Sequence, residues 1–544
     1  MSRPNREPRG AEPAPRGAAR RRVADAPVLL LSLDATDARP LHRQVYDGLR
    51  DAILGGRLLP GARLPSTRAL AADLGVARNT VALAFDQLRT EGYVSGKRGG
   101  GTRVRGVIPD ALLTVRTARP ARGHAPPRAS AVAPGGARPA AERPAAARLS
   151  ARGAVLVDAG ARVARRGGTT PVPFRLGVPA LDAFPTHLWA RLTARRWRVG
   201  GVYLGDADPA GEPELRAAIA AYVTSARGAS CTADQVLVVS GTQQALDLAA
   251  RVLLDPGDAA WVEDPGYTGA HAALAAAGAR LVPVPVDDEG LDVAEGERLA
   301  PDARLAYVTP SHQFPLGAVM SAPRRLALLA WARRASAWVA EDDYDSEFRY
   351  TGRPLPCLQG VDAERRAPGE CARVLYVGTF NKTLVPGLRL GYLVVPDALV
   401  DAVRAARAAT DRHPSTLAQG VLADFIGDGH YARHLRRVRA LYAERQATLL
   451  AAAESALQGL LTLTPDAAGL HLVGRLPPAV GDAAATAAAA AAGVEVFPLS
   501  RFTLAPPAPT ARGALLLSYA GFDGRAIRAG VQRLRGALQG LRRP

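Results

Sequence analysis

Residues 378–392 read GTFNKTLVPGLRLGY, and Lys382 in this stretch is one of only two lysines in the chain. The other is Lys97, against 67 arginines among the 69 basic residues. Arginine supplies positive charge almost everywhere, but a guanidinium does not give up its proton. A lysine amine does, and it can then attack an aldehyde to form a Schiff base. Lys382 follows the apolar run RVLYVGTF and precedes the turn pair Pro386-Gly387. That run is one of a series, with QVLVVS, AAWVED, RLAYVTP and AWVAEDDY. Between them lie Ala-rich amphipathic stretches such as TQQALDLAARVLL and RRLALLAWARRA. Short apolar runs alternating with amphipathic stretches predict an α/β domain around a mainly parallel sheet.

A lysine that links an aldehyde cofactor needs company. Pyridoxal 5'-phosphate (PLP) requires a phosphate cradle, a carboxylate for the pyridine nitrogen, a donor to the ring oxygen and a ring stacker. VSGTQQALDLAARVL runs from a strand through Ser240, Gly241 and Thr242 into a helix, whose first N–H groups suit a phosphate. Thr379 and Arg389 flank Lys382 and add a hydroxyl and a guanidinium. AWVAEDDYDSEF ends a strand in acids, where Asp342 can hold a pyridinium proton and Tyr344 can bond the ring oxygen. Tyr267, in EDPGYTG, can stack on the ring. A metal site or a solvated acidic turn is the competing reading of EDDYD, and no histidine clusters with it in the sequence.

The front of the chain has a different character. Residues 1–150 hold 26 Lys/Arg and 12 Asp/Glu, which is +14 of the net +19. A basic front end points to a polyanion, nucleic acid before membrane. Three cysteines without metal-ligand spacing fit a reducing compartment. No 18-residue apolar span and no signal-peptide pattern occur, so a cytoplasmic protein with no membrane partner is expected. Residues 1–38 read as a disordered basic tail, 39–106 as a DNA-binding domain, 107–170 as an Ala/Pro/Arg-rich linker and 171–544 as the PLP-binding domain. After about residue 395 a smaller α+β unit is expected, and DAAATAAAAAAG reads as a helix.

In the 39–106 segment, LHRQVYDGLRDAIL sets Leu41, Val45, Leu49 and Ile53 on one helical face. Ser66 can cap STRALAADLG, which stops at Gly75. VARNTVALAFDQLRTEG places Val81, Phe85 and Leu88 together, and YVSGKRGGGTRV reads as a hairpin with a basic tip. Three helices and a wing make a winged helix-turn-helix. Ser66, Thr67 and Arg68 stand at one helix start, and Arg78, Asn79 and Thr80 at the next, the recognition helix. Arg pairs with guanine edges and Asn with adenine edges in the major groove of double-stranded DNA. Lys97 and Arg98 on the wing can reach phosphates or the minor groove.

The order LPSTRALAADLGVARNTVALAFDQLRTEGYVSGKRGGGTRV resembles the winged helix-turn-helix of GntR-family regulators over about 65 residues. Its pattern is met at Leu64, Pro65, Ser66, Arg68, Leu70, Ala71, Leu74, Gly75, Val76, Arg78, Thr80 and Val81. Residues 171–540 resemble fold-type-I, class I aminotransferases through YLGDADPAGEPELRAAIAAY, SGTQQALDL, EDPGY, EDDYDSEF and GTFNKTLVPGLRLGY. Tyr203 matches a family tyrosine that reaches the cofactor phosphate across a subunit interface, so the resemblance implies a homodimer with shared sites. A GntR-type head on this body is similar to the MocR subfamily of transcriptional regulators, to which TPSHQFPLG also conforms. That resemblance implies a PLP-dependent DNA-binding regulator, with PLP or a PLP–amine adduct as effector and PLP synthesis as a controlled process.

Two positions depart from the aminotransferases. Phe314-Pro315-Leu316-Gly317 stands where they carry N-P-x-G, so the Asn at the ring oxygen is absent. Leu516, in LLLSYA, stands where they carry the Arg that anchors a substrate carboxylate; Arg501 and Arg512 are the candidate substitutes. Without that bidentate anchor the site should hold α-amino acids poorly. A regulator without significant transamination, and with no catalytic or metal residues, is therefore expected. An active aminotransferase with an accessory DNA-binding domain, and a purely structural dimerisation body, are the alternatives. Target genes, the operator and the sign of regulation are not encoded legibly.

Overall fold

The first unit is built on helix signals that the chain places in quick succession. The computed structural model describes residues 33–34, 37–97, 101–105, 149–163, 172–200, 205–352, 356–505 and 512–541. They fall into two compact units, Met1–Ala140 and Ala141–Pro544. In the first, α1 (Leu41–Leu54) buries Val45, Tyr46, Leu49, Ala52 and Ile53. Leu41, expected on that face, is 44% exposed, because it lies in the first turn, ahead of the buried stretch. The Ser66 hydroxyl accepts the N–H of Ala69 at 3.1 Å and starts α2 (Thr67–Leu74). Gly75, at φ 65°, ends it in the left-handed region that glycine enters without steric cost. α3 (Arg78–Thr90) follows at once, and Val81, Phe85 and Leu88 join Val45, Leu49 and Leu70 in one core. The wing is an antiparallel pair, β1 (Val94–Lys97) and β2 (Gly101–Val104), with Lys97 opposite Gly101. The N–H of Leu64 donates to the carbonyl of Thr102, which ties the wing to the turn before α2.

The second unit holds an eight-stranded sheet and a four-stranded sheet. The large sheet contains β3 (Val236–Val239), β4 (Ala259–Asp264), β5 (Arg280–Asp287), β6 (Gly290–Leu291), β7 (Leu305–Val308), β8 (Trp338–Asp343), β9 (Val374–Thr379) and β10 (Gly391–Val394). Their order across the sheet is β3-β10-β9-β8-β7-β4-β5-β6. The run from β9 to β5 is parallel; β10 runs against both neighbours, and β6 is an antiparallel edge. β3, β7 and β9 are buried at every position, as strands covered on both faces must be. One face packs Leu246, Val262 and Leu274; the other packs Trp261 stacked on Trp331 with centroids 3.8 Å apart.

The small sheet is antiparallel, with β11 (Thr462–Leu463), β12 (His471–Arg475), β13 (Phe497–Pro498) and β14 (Ala514–Ser518) in the order β11-β12-β14-β13. Leu515 and Leu517 turn to a core shared with Leu449 and Ile527 on the long helices His430–Ala456 and Gly524–Gly540. Leu516 alternates to the other face, beside its cross-strand neighbour Val473. The alanine-rich run forms a helix, Asp482–Ala491. Among the described residues no helix is long and apolar enough to cross a membrane.

Candidate functional site

In an open parallel sheet, ligands bind outside the carboxyl ends of the strands. The large sheet gathers the sequence-predicted residues at that edge. Ser240, Gly241 and Thr242 leave β3 and Tyr267 leaves β4, Asp342 and Thr379 lie at the ends of β8 and β9, and Tyr344 and Lys382 follow those strands. Arg389 turns the chain into β10; it is exposed and sits in the left-handed region at φ 52°. A non-glycine residue there costs on the order of 1–3 kcal/mol, a strain found disproportionately at functional sites.

Gly241, at φ 121°, precedes α4 (Thr242–Leu253) and carries no side chain to obstruct the helix start. A Cβ on Gly241 would lie 2.8 Å from Asn381 Nδ2, so the loop that bears Lys382 lies directly against that start. Asn381 Oδ1 is buried without a hydrogen-bond partner among the described residues. The Asn381 N–H donates to the Thr379 hydroxyl at 3.2 Å, and Lys382 Nζ lies 3.5 Å from the carbonyl oxygen of Gly177. Two further polar side chains support the cradle from behind. Gln244 Oε1 accepts the Ser240 N–H at 2.7 Å and an Arg407 N–H at 2.5 Å.

The acids of EDDYD sort themselves by what they already hold. Glu341 accepts the N–H groups of Leu358 and Gln359 at 2.7 and 2.9 Å. Asp343 Oδ2 pairs with Arg227 at 2.7 Å and accepts the Tyr376 hydroxyl at 2.6 Å. Asp342 is 4% exposed, and its Oδ2 accepts the Tyr307 hydroxyl at 2.9 Å. Its Oδ1 is buried and lacks a hydrogen-bond partner among the described residues. Burial pushes the Asp342 carboxyl up to about 7; the Tyr307 bond opposes this, and the charges of Asp343 and Glu263 add to it.

The sequence shows no histidine beside EDDYD, and the fold corrects that reading. His312, from the segment after β7, sets Nδ1 2.9 Å from Asp345 Oδ2 and 3.1 Å from Tyr344 Oη. Its Nε2 lies 3.1 Å from Asp466 Oδ2, on the connection between β11 and β12 of the small sheet. The two segments are 32 residues apart, too far for local spacing to reveal. Among the described residues no group of His, Cys, Asp and Glu is arranged to hold a metal ion.

Phe314 takes the place of the expected asparagine with an aromatic partition. Its ring meets Tyr267 and Tyr344 edge-on at 5.9 Å each, and Phe502 at 5.2 Å. His471 Nε2 lies 3.0 Å from the Pro315 carbonyl oxygen, so it carries a proton and donates. Leu516 lies on the same face of the small sheet as His471, with Phe497 its other cross-strand neighbour. Arg501 lays its guanidinium over the Phe497 ring at 5.7 Å, and Arg512 is exposed.

On the first unit, Ser66, Arg68, Arg78 and Asn79 are exposed at the starts of α2 and α3, and Thr67 and Thr80 are half-buried beside them. Lys97 ends β1. Arg98 and Tyr203 lie outside the described residues. Arg63 and Arg103, which the sequence reading passed over, face each other across a β-bridge at the base of the wing. The spacing from Ser66 back to Arg63 is the only sequence signal for the first of them.

Residues 41–104 match the bacterial regulatory proteins of the gntR family, and residues 192–534 match aminotransferase class I and II. The chain is 43% identical over 516 residues to a probable rhizopine catabolism regulatory protein MocR of Rhizobium meliloti, covering 94% of this chain and 96% of that one. It is 30% identical over 457 residues to the pyridoxine biosynthesis transcriptional regulator PdxR of Corynebacterium glutamicum, covering 83% and 86%. Among solved structures, the α-aminoadipate aminotransferase LysN of Thermus thermophilus, complexed with N-(5'-phosphopyridoxyl)-L-leucine, matches with a TM-score of 0.62 at 30% identity, over 68% of this chain and 92% of that one. The chain thus belongs to the MocR-type transcriptional regulators, in which a GntR-family DNA-binding head is joined to an aminotransferase class I and II body.

Proposed function

We propose that the body binds PLP at the strand ends and that PLP, alone or as an adduct with an amine, is the effector of this regulator. The observation that carries the reading is the buried, unpartnered Oδ1 of Asp342. A carboxylate oxygen kept dry without a donor is costly, and a pyridinium N–H would supply the missing bond. The rest of the residue set fits the same group. The start of α4 with Gly241 and Thr242 suits a phosphate, with Thr379, Arg389 and Tyr203 as further phosphate ligands. Tyr267 offers a ring face, Tyr344 a hydroxyl and Lys382 the amine. Bound there, PLP supplies an aldehyde for a primary amine and an electron-withdrawing ring.

The chain's own residues then hold rather than turn over. Lys382 would hold the cofactor through its amine, and Asp342 would hold the proton of the ring nitrogen. Phe314 and Phe502 exclude water from one side. Leu516 and Val473 present hydrocarbon where an α-carboxylate would need an anchor. The reading therefore includes no significant transamination, a homodimer, operator DNA as the ligand of the head, and a cytoplasmic site of action. A linker between head and body belongs to this reading, but it ends before residue 151: the expected span 107–170 contains the helix Ala151–Val163, whose Arg152 Nε donates to the Ala276 carbonyl oxygen at 3.0 Å. PLP changes DNA affinity only if the two arrangements of the protein bind it unequally. The sequence kinship with a pyridoxine biosynthesis regulator supports PLP synthesis as the controlled process.

The test is an absorbance spectrum of the purified protein with PLP, before and after borohydride. A visible band that borohydride bleaches, leaving a label on Lys382, is expected. A protein that takes up no PLP, or whose operator affinity and transcription ignore it, would overturn the reading in favour of a purely structural body.

A further inference from the structure

His312 is buried at 2% exposure, and its ring is contained by two glycines. A Cβ on Gly469 would lie 2.3 Å from His312 Cε1, and one on Gly317 would lie 2.3 Å from Asp466 Oδ2. The groups that face the ring are Asp345 and Tyr344 from the segment after β8, Asp466 from the segment before β12, and His471 from β12 itself, with ring centroids 6.3 Å apart. Burial disfavours charge on the imidazole, but the carboxylates of Asp345 and Asp466 prevail and push it up to about 10. At neutral pH both ring nitrogens therefore carry protons and donate.

That charge state decides what the Tyr344 hydroxyl does. A phenol has one proton to give and lone pairs to accept with. The single Nδ1 proton lies between Asp345 Oδ2 at 2.9 Å and Tyr344 Oη at 3.1 Å, and Asp345 also bonds the Tyr344 hydroxyl. Where Tyr344 Oη takes the Nδ1 proton, its own proton can turn from Asp345 to a second acceptor. In the turn that lost its asparagine, the side chains of Thr309 and Gln313 are already committed as donors. The Thr309 hydroxyl donates to Glu263 at 2.6 Å. Gln313 Nε2 donates to Glu263, Pro265 and Phe314 at 3.1, 2.9 and 2.6 Å.

We propose that His312 is a positioning residue of the cofactor site, orienting the Tyr344 hydroxyl as donor to the ring oxygen of PLP and tying that donor to Asp466 of the small lobe. The inference rests on the PLP reading above. It gives the turn a replacement for the absent asparagine, two residues upstream and acting through a tyrosine. It also makes the ring-oxygen contact sensitive to where the small lobe stands.

The experiment uses the full-length, PLP-loaded protein and reads the pH midpoint at which its visible band converts. A ring oxygen that loses its donor becomes more basic and holds the neighbouring proton to higher pH. Tyr344→Phe should raise the midpoint by about one pH unit, a tenfold change in proton affinity. His312→Gln should raise it in the same direction, and the double variant should move no further than Tyr344→Phe alone. Asp466→Asn, which leaves the imidazole in place, should give a smaller rise that also vanishes in the Tyr344→Phe background; it decides the matter if His312→Gln does not fold. Midpoints unchanged in His312→Gln and Asp466→Asn, or shifts that persist undiminished without the Tyr344 hydroxyl, would overturn the inference while leaving PLP binding intact. A wild-type protein with no visible band would instead overturn the PLP reading on which it rests.

Discussion

Arg78 and Asn79 stand exposed at the first turn of α3, whereas Asp342 is 4% exposed at the end of β8. The head presents groups that water already satisfies and that a large polyanion can reach without rearrangement. The body withholds groups from water and leaves several of them, Asp342 Oδ1 and Asn381 Oδ1 included, without a hydrogen-bond partner among the described residues. On the proposed reading, the two units therefore recognise their ligands by different physics. On the head, each contact is one increment among many, and deleting it subtracts a bounded amount. In the body, burial makes each polar group depend on its mate, so a single deletion removes a function outright.

The contrast is tested most severely by Lys382→Ala. Covalent PLP should vanish completely, while operator binding by the head, measured by gel shift, stays largely intact. A visible, borohydride-sensitive band that survives the substitution would move the linkage elsewhere. Next in size is His312→Gln. A histidine whose folded value is raised to about 10 from an ordinary 6.5 stabilises the fold fully below about 6.5, and the contribution is lost as pH rises through 10. The variant should therefore lower the melting temperature of the body most at pH 6, with the gap closing towards pH 10. A gap independent of pH would mean that packing, not charge, is what the ring supplies.

The head should respond in smaller steps. Arg78→Ala should cost about 1–3 kcal/mol in specific DNA affinity and relax preference at one operator position. Equal loss on every sequence would make it a phosphate contact. Smallest of all, Ser66→Ala should remove the cap on Ala69 N–H and cost about 1 kcal/mol of head stability, read as a lower melting temperature. No change would mean that the wing, through Leu64 and Thr102, holds the start of α2 by itself.

The same contrast explains what the sequence discloses. Ser66, Gly75 and Val81 lie within 16 positions, and their helical spacing alone predicts two helices, a turn and a core face, all of which the fold contains. Strand runs such as VLYVGT are equally local, and so is the step from β3 through Gly241 into α4. Leu41 misleads because periodicity records which face a residue shares, not where along the helix burial begins. His312 and Asp466 were illegible for another reason: His312 meets Tyr344 from 32 positions away, and Asp466 meets His312 from 154 positions away. EDDYD announces a set of acids, but only the fold shows that Glu341 caps a helix, Asp343 pairs with Arg227 and Asp342 is left over.

The scarcity of lysine has an analytical consequence. A lysine-specific protease meets only two cleavable residues, one where β1 ends in the wing and one in the loop that leaves β9. Peptide mapping thus interrogates the wing and the loop after β9, the parts proposed to meet DNA and cofactor, and little else. Reductive fixation of an aldehyde on Lys382 blocks one of the two cuts, so the digest changes from three fragments to two. With Lys382 as the proposed linkage, the protein's own composition would make a simple gel a readout of cofactor occupancy, with no dye, tag or antibody introduced.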